Sequence, residues 1–270
     1  MVSDENPGDI LVNALKFSVS NVTGLAVWGI AFALSIIVMM VIMFSGMILF
    51  YDNTLAVIAL VLLSYLPALA VSFLLLGFVI QCMKTVIGGG IVMPTGLESP
   101  AGLVKDGALT TVILLEAVIV EMICFAPGFL LMFLAAGSES TILIFLAMAL
   151  MLLAIPFVMV LFFLNMIQWA VYADTGSLLQ GLNPLRAVGL IRSNPGGAVI
   201  MVVLLIASNI VFSVVLLICE LLIITILLLP FLMIAMYAAM AYIVATFYRQ
   251  SVGDRPEVTR DTASAGYHIT

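Results

Sequence analysis

AVIMVVLLIASNIVFSVVLLICELLIITILLLPFLMIAMYAAMAYIVATFY, residues 198–248, is an almost unbroken apolar run. One bilayer crossing needs only about 20 apolar residues. The run is therefore read as two crossings. The only charge inside it, Glu220, puts the expected tight turn near Cys219 and Glu220. Whether this run counts as one helix or two decides how many spans the chain has, and so which side of the membrane each loop occupies.

The rest of the chain has the same character. Its 270 residues are 65% hydrophobic and 8% charged, where soluble domains carry about 25% charged residues. Mean hydropathy is +1.37. The sequence predicts an all-α, multi-pass membrane protein with six spans, at about 25–50, 54–82, 108–136, 141–172, 197–218 and 222–248. A single membrane domain covers 1–250, and a polar tail over 251–270 is expected to be disordered. The N-terminus, MVSDENPGDI, is acidic, whereas a cleaved signal peptide starts basic and turns apolar at once. The first span is thus expected to serve as the targeting element.

With six spans, all eight basic residues fall on one side. Lys16 precedes the first span. Lys84 and Lys105 lie between the second and third, and Arg186 and Arg192 between the fourth and fifth. Arg249, Arg255 and Arg260 follow the sixth. The positive-inside rule then places both termini in the cytoplasm of a cell (plasma) membrane protein.

The segments on that side resemble one another. Asn6-Pro7, Ser99-Pro100 and Asn183-Pro184 each precede a short amphipathic stretch with a basic residue, Lys16, Lys105 or Arg192. Asn or Ser followed by Pro is a helix-start signature. The stretches are expected to be helices lying in the interface, apolar side toward lipid. Each is followed by a pair of spans, and the second span of each pair holds a proline: Pro67, Pro156 and Pro230. An interior proline removes a backbone hydrogen bond and kinks a helix. The expected architecture is three helix pairs, each preceded by an interfacial helix, in pseudo-repeats at about 6–82, 83–172 and 173–248.

Few residues offer chemistry. Glu121 lies 13 residues beyond Ala108, or about 20 Å along a helix and near mid-bilayer. A carboxyl there is costly and must face protein or water rather than lipid. Two readings stand: packing glue bonded to a neighbouring helix, or part of a proton or solute pathway. Asn209 has a matching depth in the fifth span. Glu116 is shallower and matches Asn165 and Gln168 in the fourth. Five residues separate the two acids, about 140° around a helix, which argues against one shared site. Cys82, Cys124 and Cys219 share no spacing, and the only histidine, His268, is in the tail. No metal site, cofactor or disulfide framework is expected. The net charge of −6 argues against a nucleic-acid partner. GGGIVMPTG, residues 88–96, lacks the Lys-Ser/Thr of a phosphate-binding loop and reads as a flexible linker. Trp28 and Tyr51 read as interface anchors.

Two blocks carry a family resemblance. GFVIQCMKTVIGGGIVMPTGLESPAGLVKDGALTTVILL, residues 77–115, and YADTGSLLQGLNPLRAVGLIRSNPGGAV, residues 172–199, are similar to the archaeal domain-of-unknown-function family 4013. The resemblance extends over about residues 10–250. Thr95-Gly96-Leu97 departs from the acidic and aromatic positions usual in that family, while Glu98 remains. The resemblance implies a membrane-embedded protein, no established activity and no catalytic residues. The expected function is a non-enzymatic scaffold, assembly or lipid-organising component of the bilayer. The alternative is a small-solute or proton-coupled transporter using Glu121 and Glu116.

Overall fold

The structure is a computed structural model that describes residues 6–50, 52–97, 99–138, 140–221 and 228–253, without the side chains of 220 and 221. Among these residues the chain is all helix and turn. Its elements are α1 (Pro7–Val19), α2 (Val22–Leu49), α3 (Thr54–Ile87), α4 (Pro100–Ser138), α5 (Thr141–Thr175), α6 (Leu178–Gly181), α7 (Pro184–Ser193), α8 (Pro195–Leu221) and α9 (Leu229–Val252). Six of them, α2 to α5 with α8 and α9, are long and apolar enough to cross a membrane.

Short polar side chains start the helices where the sequence places them. Asn6 accepts from the Gly8 amide, Ser99 from Gly102 and Asn183 from Leu185. Asn21, Asn53 and Asn194 cap α2, α3 and α8 in the same way. Each cap satisfies an amide that the first helical turn leaves without a partner.

Several expectations are corrected. The Ser99-Pro100 stretch is not a separate helix: α4 runs without a break from Pro100 to Ser138, because no breaker separates LVKDGALTT from the apolar run. α8 continues through Cys219 and Glu220, where the tight turn was expected, and α9 starts at Leu229. Residues 222–227 and the Glu220 side chain lie outside the described residues, as do Tyr51, Glu98 and the tail from 254. Pro230 stands in the first turn of α9 rather than well inside a helix, where its missing N–H costs nothing. Pro67 and Pro156 are interior to α3 and α5 as read, and Pro127, which the repeat pattern passed over, is interior to α4. Trp28 is no interface anchor. It is 3% exposed, its ring lies 5.2 Å from Phe78, and its indole N–H donates to the Thr95 carbonyl at 3.0 Å. The 88–96 segment is no free linker: Met93 is buried, its amide donates to Ser20, and its carbonyl accepts from Asn21. Gly96, at φ +78°, lets this loop turn against the Trp28 ring.

Burial is uneven, and that positions the site. α9 is the hub, touching α1, α2, α3, α5, α7 and α8. Its most apolar stretch is 67% buried, against 6% to 22% in the other five long helices. The reason is composition. Ala235, Ala238, Ala239, Ala241 and Ala245 are all buried, and small residues let helices approach where lipid removes the hydrophobic drive between them. The core gathers at one end, from Leu75–Val86 of α3, Asn165–Ala173 of α5 and Ala238–Tyr248 of α9. The apolar face of α1 belongs to that core and does not face lipid: Ile10, Ala14 and Phe17 are buried, with Phe17 5.3 Å from the Tyr242 ring. The opposite halves of α2 to α5 present exposed apolar side chains such as Ile48, Leu55, Phe133 and Ile142.

α3, α4 and α5 contain 34, 39 and 35 residues, about 51 to 58 Å at 1.5 Å per residue. They outrun a hydrocarbon core of about 30 Å. The described basic residues lie on α1, α7, the start of α4 and the ends of α3 and α9, elements joined through the α3 and α9 contacts of the packed end.

Candidate functional site

Two polar constellations and one cleft hold the chain's chemistry. The first joins α3, α4 and α5 at the packed end. Lys84 Nζ lies 2.6 Å from Asp106 Oδ2, and the Tyr172 hydroxyl donates to Asp106 Oδ1 at 2.8 Å. The Lys84 ammonium also lies 5.9 Å from the centre of the Tyr172 ring. Asp106 is buried, while the Lys84 side chain is 39% exposed. The carboxylate therefore has both oxygens occupied, and only the lysine reaches solvent. Next to it, the Tyr248 hydroxyl donates to Asp174, and Arg249 donates to the Val86 carbonyl. The same end is thus laced from α3 to α9.

This cluster is absent from the sequence-based candidates, which favoured acids deep in a span and passed over one near a helix start. The available signal was Lys105-Asp106-Gly107 lying across a hairpin from Lys84, with Tyr172 in the fourth span.

The helix contact beneath it explains how the pair forms. A Cβ on Gly77 would lie 2.1 Å from the Leu103 carbonyl oxygen, and one on Gly107 would lie 2.0 Å from that of Phe73. Both positions require glycine because backbone meets backbone there. This approach brings α3 and α4 close enough for Lys84 to reach Asp106.

The second constellation unites three predicted residues. Asn165 Nδ2 donates to the Ile113 carbonyl at 3.2 Å and to Gln168 Oε1 at 3.4 Å, and Gln168 Nε2 donates to Glu116 Oε2 at 3.4 Å. Asn165 and Gln168 are buried and Glu116 is half-buried. The arrangement clasps α4 to α5. Glu116→Gln is expected to change stability by less than about 0.5 kcal/mol, because an amide oxygen can still accept over so long a contact. Asn165→Leu is expected to cost about 1–2 kcal/mol, since Gln168 Oε1 loses its partner while buried. Thermal unfolding of both variants in detergent measures the difference, and equal losses would refute this account of the clasp.

Glu121 and Asn209 come together in a different way. Both line a cleft of about 680 Å³ between α5 and α8, with Met240 of α9 also on its wall. Asn209 donates to the Leu205 carbonyl of its own helix at 2.9 Å and not to Glu121. Glu121 has no hydrogen bond or ion pair among the described residues, so the structure does not show it as glue. The five-residue spacing separates the acids as read, one in the clasp and one in the cleft.

Cys82, Cys124 and Cys219 are free thiols. Among the described residues no group of three His, Cys, Asp or Glu side chains is placed to hold a metal.

The model of a family described as "Protein of unknown function (DUF4013)" matches residues 60–221, more than half of the 270-residue chain. This is narrower than the 10–250 resemblance and leaves out α1, α2 and α9. No curated protein and no solved structure matches.

Proposed function

The chain belongs to the DUF4013 family, and from that premise we propose that it is a non-enzymatic, multi-pass component of the cell membrane that organises anionic lipid or an assembly at the cytoplasmic face. The observation that carries this reading is the ring of cations at the packed end. Lys16, Lys105 and Arg192 are exposed and form no ion pair or hydrogen bond among the described residues. They stand on α1, the start of α4 and α7; α1 and α7 both pack against α9, and the start of α4 packs against α3, which α9 also touches. Juxtamembrane cations of this kind attract anionic headgroups by about 1 kcal/mol each. The one-sided distribution supports cytoplasmic termini. α1 and α7 would then rest at the headgroup level, with the three helix pairs of the repeat above them.

The test is lipid retention. Purified protein from bilayers with equal phosphatidylglycerol and phosphatidylcholine is examined by native mass spectrometry. Retained phosphatidylglycerol is expected to exceed phosphatidylcholine and to fall several-fold in the triple variant Lys16→Gln, Lys105→Gln, Arg192→Gln. Equal retention of both lipids by the parent protein would overturn the reading.

The alternative is a proton-coupled carrier, supported by Glu121 alone once Glu116 is held in the α4–α5 clasp. If solute uptake in proteoliposomes is lost in Glu121→Gln while protein abundance holds, the carrier reading prevails.

A further inference from the structure

The cleft between α5 and α8 calls for an occupant. α8 packs on α9 and touches α1 and α7, but it does not pack along α5. The walls are apolar, with Met159, Phe162, Leu205 and Met240 among them, and the polar side chains among the described lining residues are Glu121, Asn209 and Ser213. A volume of about 680 Å³ lies within the range of small-molecule pockets, about 300–1,000 Å³, which are apolar with a few placed polar groups.

The polar groups here have a definite sense. Asn209 commits one amide N–H to the Leu205 carbonyl and keeps its second N–H and its side-chain oxygen for an occupant. The Glu121 carboxyl has no partner among the described residues and is only half-buried. An ionised carboxylate only accepts, while a protonated one donates its O–H and still accepts. In lipid an unsatisfied polar group is costly, and a donating head satisfies the Glu121 carboxyl in either protonation state, because each state accepts.

We propose that this cleft binds a single amphiphile from the bilayer, a molecule with an alkyl-type body and a hydrogen-bond-donating head, hydroxyl or amine, placed at Glu121. The site is separate from the cationic ring. It rests on the chain being membrane-embedded and not on the headgroup reading.

Photolabelling of the full chain in phosphatidylcholine liposomes tests it. The probes are diazirine-bearing hexadecylamine, hexadecanol and methyl hexadecanoate, the last with no donor. The amine and the alcohol are expected to label α5 and α8 saturably around Phe162 and Leu205, and the ester several-fold less, because it has no donor for the Glu121 carboxyl. Glu121→Leu is expected to weaken the labelling by about tenfold, the worth of one good hydrogen bond to such a group. Glu121→Gln keeps an acceptor: if it retains the alcohol and loses the amine, the head is an ammonium paired with a carboxylate, and if it retains both, the head binds as a neutral donor. Val214→Trp fills the cleft from its exposed edge and is expected to block both donor probes, which keeps the test open if Glu121→Leu does not fold. Ester labelling equal to the amine, or undiminished labelling in Val214→Trp, would overturn the proposal. So would efficient disulfide cross-linking of two copies through Phe162→Cys and Ile210→Cys, which would show that another chain fills the cleft. Phosphatidylglycerol retention, measured on the same variants, remains unchanged if only this site fails.

Discussion

Gly107→Leu is expected to abolish the folded protein, and Gly107→Ala to cost about 2–3 kcal/mol, near the upper end for overpacking a well-packed contact. A Cβ at 107 would lie 2.0 Å from the Phe73 carbonyl oxygen and 2.9 Å from its carbon. Backbone cannot rotate away as a side chain can, so α3 and α4 must separate. Separation also pulls Asp106 from Lys84, which adds the loss of a buried polar contact. Gly77→Ala should behave alike, because its Cβ would lie 2.1 Å from the Leu103 carbonyl oxygen. Gly137→Ala is the control, since a Cβ there meets nothing within 4 Å. Thermal unfolding and monodispersity in detergent provide the readout. A Gly107→Ala protein as stable as the Gly137→Ala control would mean that the α3–α4 approach is wrong.

The second large effect is expected at Lys84. Lys84→Met keeps the length of the side chain and removes its charge, stranding the Asp106 carboxylate with only the Tyr172 hydroxyl. Breaking a buried pair from one side costs about 3–5 kcal/mol when both ions are buried. Here the lysine is 39% exposed, so about 2 kcal/mol is expected. Asp106→Asn should cost less, about 1 kcal/mol, because the freed ammonium can turn to water or headgroups and the amide oxygen still accepts from Tyr172. The double variant should recover part of the sum, which is the signature of direct coupling. Strictly additive losses would show that Lys84 and Asp106 do not interact.

Parts of this architecture were legible because lipid imposes simple rules. Every backbone group must be satisfied within its own helix, so hydropathy alone marks the six long helices. Asn and Pro announce helix starts by local chemistry, and Asn6, Ser99 and Asn183 act as read. The match of Glu116 to Asn165 and Gln168 was also legible, since depth along a helix follows from counting residues. What failed did so for a common reason. The neighbours of Trp28 and Met93 in sequence do not set their environment, which comes from packing partners far along the chain. Tryptophan favours the interface in general, but at Trp28 the Thr95 carbonyl lies within reach of the indole N–H and holds it inside the protein.

Composition and periodicity by themselves determined that this is an all-helical chain with six membrane-length helices and its described cations at one end, because each depends only on local residue content. The tertiary structure alone decided that α9 is the hub, that Asp106 is held by Lys84 and Tyr172, and that Glu121 faces an open cleft. Those outcomes depend on how closely two backbones can approach, and that is set by where a missing side chain on one helix meets another.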